Sequence, residues 1–183
     1  QIDNSFWTDL PDKGLQQNVE AAAAAAYHTT RPCLALAGAQ QAIQLYPRLF
    51  ARYITGRRAS LLHPSYNEHE RQLLRQNWQV KRVCSSDQLA GADLAVVVNP
   101  NNPDGRHSHP EQLFSIAKQV GVLVIDESFC DPLPHLSVCP HLTAQHNNIL
   151  VLRSFGKFYG LAGLRLGFAV GAQSHLDDLA EMM

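Results

Sequence analysis

Lys157 sits in the run Arg153-Ser154-Phe155-Gly156-Lys157-Phe158-Tyr159-Gly160-Leu161-Ala162-Gly163-Leu164-Arg165, a stretch whose residue types can do covalent chemistry. A lysine amine condenses with a carbonyl to give a Schiff base when the backbone holds it still and a phosphate-bearing ligand is anchored beside it. Ser154 can hydrogen-bond a phosphate. Arg165 can grip one with two parallel N–H groups and keeps its charge. The glycines let backbone approach a flat ligand closely. A lone lysine after a strand is ordinarily just solvated; the Ser154/Lys157/Arg165 spacing is what points further.

Four upstream stretches carry related signals. Gly38-Ala39-Gln40 ends an apolar run and opens a helical one, so its free amides suit an anion. Many strand-to-helix turns contain Gly, so this signal is weak alone. In Pro64-Ser65-Tyr66-Asn67-Glu68-His69, Tyr66 is placed to lie flat against a ring; a half-buried tyrosine at a helix start fits equally. Asn99-Pro100-Asn101-Asn102-Pro103-Asp104-Gly105 is rich in turn formers and by itself reads as a loop. Val124-Ile125-Asp126-Glu127-Ser128-Phe129 ends a buried strand in a carboxylate, which must be paired if it is buried.

Ser154 to Phe168 resembles the cofactor-lysine segment of the fold-type-I pyridoxal-phosphate (PLP) enzymes, the aspartate aminotransferase superfamily. The upstream stretches match the same family in the same order over nearly the whole chain. The resemblance implies that Lys157 carries PLP as a Schiff base and acts as general acid and base. It implies that Gly38, Ala39 and Gln40, with Ser154 and Arg165, hold the phosphate. Tyr66 would stack on the pyridine ring and Asn102 would bond its phenolic O3′. Asp126 would pair with the protonated ring nitrogen, supported by His69. Asp104 stands where Thr is common, a change not expected to affect binding. Most aminotransferases carry Tyr where this chain has Phe129, so one bond to O3′ is lost. Asp126-Glu127-Ser128-Phe129-Cys130-Asp131-Pro132 and Pro140-His141-Leu142 look like the threonine-phosphate decarboxylases of cobalamin biosynthesis. The histidinol-phosphate aminotransferases share the Asn-Pro-Asn-Asn-Pro turn and imply the alternative reaction, transamination. An inactive truncated PLP-binding domain is the third possibility. The cross-subunit Tyr of many relatives is Leu10 here.

These motifs need a scaffold, and the pattern supplies one. Helices are predicted at 16–28, 40–52 (interrupted at Pro47), 66–76, 110–120 and 175–182. Strands are predicted at 33–37, 57–62, 78–83, 93–99, 122–126, 149–153 and 166–170. Alternating strands and helices with apolar strands mean an α/β domain, a mostly parallel mixed sheet flanked by helices in three α/β/α layers. Ligands in such sheets bind beyond the carboxyl ends of the strands, where each motif falls.

The chain has 183 residues, 45% of them hydrophobic, and a formal net charge of -1. That is enough for one full core, and the missing basic stripe argues against nucleic acid. No apolar run approaches the roughly 18 residues of a membrane span. The four cysteines (Cys33, Cys84, Cys130 and Cys139) lack zinc spacing, and His107-Ser108-His109 has no companion ligands; they read as reduced, mostly buried cytoplasmic thiols, and no metal is expected. Complete enzymes of the resembled family are much longer, so residues 1–183 are expected to be a PLP-binding large domain without the C-terminal small domain and its substrate-carboxylate Arg. The family also implies a homodimer and a small amino-acid substrate, here a phosphorylated one.

Overall fold

The structure, a computed structural model, describes residues 12–183. The segment holding Leu10 lies outside the described residues. Strands β4 (Leu94–Val98) and β5 (Val122–Asp126) are buried at every position, so both faces of the sheet must be covered. They are the centre of a seven-stranded sheet with order β1-β7-β6-β5-β4-β2-β3. The other strands are β1 (Cys33–Leu36), β2 (Arg58–Leu62), β3 (Gln79–Val83), β6 (Ile149–Ser154) and β7 (Gly167–Val170). All neighbours pair in parallel except β7, which is antiparallel to both β6 and β1. The expected mixed, mostly parallel sheet is present.

Side chains alternate across the strands, and that alternation sorts the core into two layers. Val96, Val124, Leu150 and Leu152 point to one face, under α2 (Ala39–Tyr53), α3 (Asn67–Arg75) and α6 (Gln173–Glu181). Ala95, Val97, Leu123, Ile125 and Val151 point to the other, under α4 (Pro110–Ala117) and the Val138 to Leu142 segment. Helix α1 (Lys13–Ala26) starts at Asp12, whose carboxylate accepts from the Leu15 amide at 2.7 Å. It carries Tyr27 onto the second layer. No described helix is long and apolar enough to cross a membrane.

Two expectations need correction. Helix α2 runs unbroken through Pro47. A proline inside a helix costs about 3 kcal/mol. The fully buried Tyr46, Leu49 and Phe50 offset that cost, and the Pro47 carbonyl still accepts from Trp78 Nε1 at 2.9 Å. Between the strands predicted at 149–153 and 166–170, where no helix was predicted, Lys157 sits on a single helical turn, α5 (Phe155–Phe158). Among the cysteines only Cys130 and Cys139 are buried; Cys84 is exposed.

Candidate active site

The carboxyl ends of β1, β2, β4, β5 and β6 lie on one edge of the sheet, and antiparallel β7 begins there. The segments leaving these ends enclose a cavity of about 430 Å³ on the α2 face. Gly38, Ala39, Gln40, Tyr66, Asn102, Asp126, Phe129, Ser154, Lys157 and Arg165 all line it. Of the residues singled out in the sequence, only His69 does not. It is fully buried behind the cavity wall, against Asp126.

One end of the cavity is built for an anion. Gly38 caps α2 at φ 82°, a left-handed conformation that glycine adopts without steric penalty. The first amides of the 15-residue helix, at Ala39 and Gln40, therefore face the cavity end unpaired by the helix itself. Arg165 adds a guanidinium: a Cβ built on Gly38 would stand 3.3 Å from its Nη2. Ser154 contributes a hydroxyl at the end of β6. Gly167 lets β7 pass the helix start, since a Cβ there would meet the Ala39 amide and come within 2.6 Å of the Gly38 carbonyl carbon.

Tyr66 forms one wall. Its hydroxyl donates to Gln40 Oε1 at 3.4 Å, and Gln40 Nε2 donates to Glu68 Oε2 at 3.3 Å. Gln40 is thus tied to the tyrosine and to a carboxylate, and the backbone amide at Gln40 remains its group for an anion. In the Asn-rich turn the work is divided. Asn99 donates to the carbonyls of Ser108 and Leu136, at 3.0 and 3.2 Å. Asn101 donates to the Pro64 carbonyl at 2.8 Å and to Asp104 at 2.7 Å. Asp104, where Thr was the commoner residue, therefore holds the turn, and Asn102 is left on the cavity wall.

Asp126 lies at the end of β5, only 2% exposed. Its Oδ2 is 2.9 Å from His69 Nε2, and its Oδ1 accepts from the Ser128 amide at 2.9 Å. Burial alone would raise its pKa. The hydrogen bonds from His69 and Ser128 outweigh burial and hold the carboxyl below its ordinary value. His69 Nδ1 is in turn 3.1 Å from the Tyr46 hydroxyl. Lys157 Nζ lies 4.6 Å from the centre of the Phe129 ring, over its face.

Behind the cavity, on the other face of the sheet, lies a buried ionic group. Arg153 donates to Glu127 and to Asp131, both at 2.7 Å. Glu127 also accepts from Ser137 Oγ at 2.6 Å and from the Val138 amide at 2.7 Å. The Tyr27 ring stacks on the guanidinium at 4.3 Å. Burial works against the Arg153 charge, but Glu127 and Asp131 prevail and hold its proton more firmly than usual. Tyr46 was not singled out in the sequence, and Arg153 and Glu127 appeared there only as members of motifs, with no role of their own, because the partners of Arg153 are spread from residue 27 to residue 137.

The cavity thus offers an anion cradle, a flat aromatic wall, a buried carboxylate and a primary amine. The model of the family described as "Aminotransferase class I and II" matches residues 4–183. A threonine-phosphate decarboxylase from Sinorhizobium sp is 42% identical over 97% of this chain and 54% of its own length. One from Pseudomonas aeruginosa is 38% identical over 100% of this chain and 54% of its own. The chain therefore spans about half the length of these curated relatives. A histidinol-phosphate aminotransferase from Sinorhizobium meliloti, solved in complex with pyridoxal-5′-phosphate, superposes with a TM-score of 0.73 at 20% identity, over 92% of this chain and 50% of that one. By the family match and the fold, this chain belongs to the class I and II aminotransferases.

Proposed function

We propose that the cavity holds PLP and that the complete protein is a threonine-phosphate decarboxylase, cytoplasmic and dimeric, serving cobalamin side-chain synthesis. In this reading the chain is the cofactor-holding portion of a longer protein. One observation carries the cofactor assignment: the anion cradle, Asp126 and Lys157 all face a single cavity of about 430 Å³. That volume suits a small flat ligand. The residues fit the group at each point. The helix amides, Ser154 and Arg165 match a phosphate, Tyr66 matches a ring face, and an ionised Asp126 needs a cationic partner.

When bound, PLP supplies an electron sink that accepts the pair released from a bond at the substrate Cα. Asp126 holds the proton on the ring nitrogen. Lys157 Nζ is the amine for covalent attachment and the group placed to deliver a proton to Cα after CO2 leaves. Asn102 is the polar group on the wall for the phenolic oxygen. Phe129 offers no second hydrogen bond there and instead covers the lysine amine. Phe129 and the names of the relatives at 42% and 38% identity favour decarboxylation over transamination.

The test is to incubate the complete protein with threonine phosphate and measure CO2 beside oxo-acid. Release of CO2 without oxo-acid supports the reading. Oxo-acid formation would replace it with an aminotransferase, the histidinol-phosphate type first. Among the described residues the cavity groups are assigned to the cofactor and none to the substrate carboxylate, so the 183-residue chain alone is expected to turn over more slowly than the complete protein.

A further inference from the structure

We propose that Tyr46 is a positioning residue: its hydroxyl fixes His69 as the neutral tautomer that donates to Asp126, leaving the full charge of Asp126 for the cation in the cavity. The inference rests on the reading above, in which that cation is the ring nitrogen of PLP.

Three groups form a buried line. Tyr46 OH is 3.1 Å from His69 Nδ1, and His69 Nε2 is 2.9 Å from Asp126 Oδ2. Tyr46 and His69 are 0% exposed and Asp126 is 2% exposed. The Tyr66 ring meets His69 edge-on and adds no hydrogen bond. Each arrangement of protons in this line can be checked for what it leaves unpaired. If His69 carried its proton only on Nδ1, the Nε2 lone pair would face an ionised carboxylate. If it carried two, the Tyr46 oxygen would accept from Nδ1, and the Tyr46 proton would have no acceptor, since His69 is its partner among the described residues. An imidazolium would also neutralise Asp126 from behind, leaving a cavity cation uncompensated in a buried site. One arrangement satisfies every group: Tyr46 donates to Nδ1, and Nε2–H donates to Asp126.

Burial, with the charge of Asp126 added, raises the Tyr46 pKa well above its ordinary value, so the hydroxyl keeps the proton it donates. The geometry is supplied by the fold. Tyr46 lies in the middle of α2, whose first turn holds the anion cradle, and His69 lies in the first turn of α3. The line therefore ties both helices to the end of β5.

The experiment is nitrogen NMR of histidine-labelled complete protein, without cofactor, with His69 assigned by the signal lost in His69→Asn. A bare Nδ1 and a protonated Nε2 are expected at neutral pH. A protonated Nδ1 there would overturn the proposal, and this arm needs no variant at Tyr46. In Tyr46→Phe, His69 is expected to lose its single tautomer. Unchanged His69 signals would show that Tyr46 does not set it. Added PLP should bind Tyr46→Phe about tenfold more weakly, the effect of leaving one buried acceptor unpaired, while still attaching at Lys157. Equal PLP affinity would also overturn the role. If the wild-type protein bound no PLP, the functional reading would fall, and the His69 spectrum would still decide the part played by Tyr46.

Discussion

The Arg153 guanidinium lies 2.7 Å from the Glu127 carboxylate on the face of the sheet opposite the cavity, although each residue adjoins a cavity residue, Ser154 and Asp126. Because side chains alternate, the pair locks the ends of β5 and β6 from behind without touching a ligand. Glu127→Gln is expected to cost about 3–5 kcal/mol, since among the described residues it leaves buried Arg153 with Asp131 as its remaining ion-pair partner. Arg153→Met should cost a similar amount. The double variant should lose less than the sum, because neither buried charge is then left facing a neutral partner. Urea midpoints of the four proteins measure this. Strict additivity would show that the pair is not coupled.

Asp126 gives a pH dependence with a definite sign. Its folded-state pKa lies below the ordinary carboxyl value, so its contribution to stability is complete above about pH 4. It is lost as pH falls through the folded-state value. Wild-type protein should therefore lose stability below about pH 4 more steeply than Asp126→Asn, which has no carboxyl to protonate there. Parallel acid-denaturation curves would contradict the ionised, hydrogen-bonded Asp126 described here.

Much of this site was legible because its parts are local in sequence. A strand that ends in Asp126, a Gly-led helix start at Gly38 and the Ser154/Lys157/Arg165 spacing are patterns within a few residues. Strand periodicity then put them on one edge of a parallel sheet. What was not legible depends on contacts between distant segments. The Tyr46–His69 bond joins two helices, and Arg153 gathers four partners, at residues 27, 127, 131 and 137. The unbroken course of α2 through Pro47 likewise depends on packing, which local propensity does not report. Nothing in the pattern distinguished Asn102 from Asn99 and Asn101. The family resemblance singled out Asn102; in the structure Asn99 and Asn101 bond within the turn and Asn102 lines the cavity.

Gly167 is where β7 passes the start of α2. Gly167→Ala would drive a methyl into the Ala39 amide and toward the Gly38 carbonyl carbon, which is backbone and cannot rotate away. The expected result is a loss of about 1–3 kcal/mol in stability together with weakened PLP binding, because the displaced amides are those of the anion cradle. Unfolding midpoints and PLP titration check the two effects. Wild-type PLP affinity in this variant would mean that the helix start does not hold the phosphate.

Arg165 stands beside Gly38 in a left-handed conformation, with its guanidinium at the helix start. Arg165→Lys keeps the charge but removes the two-pronged donor. Affinity for PLP is expected to fall about tenfold, in line with losing one charge-assisted hydrogen bond, while pyridoxal without its phosphate should bind both proteins alike. Fluorescence titration with the two ligands separates the outcomes. An equal loss for both would place Arg165 at the ring instead of the phosphate.

We propose Lys157 as the residue that takes the cofactor. The direct measurement is borohydride reduction of the PLP-loaded complete protein followed by peptide mass analysis. Reduction turns the bond between a lysine nitrogen and the cofactor carbon into a stable secondary amine. A single pyridoxyl-phosphate group is expected on the peptide containing Lys157, and none in Lys157→Ala. A modification on Lys118 or Lys81, or undiminished labelling of Lys157→Ala, would contradict it.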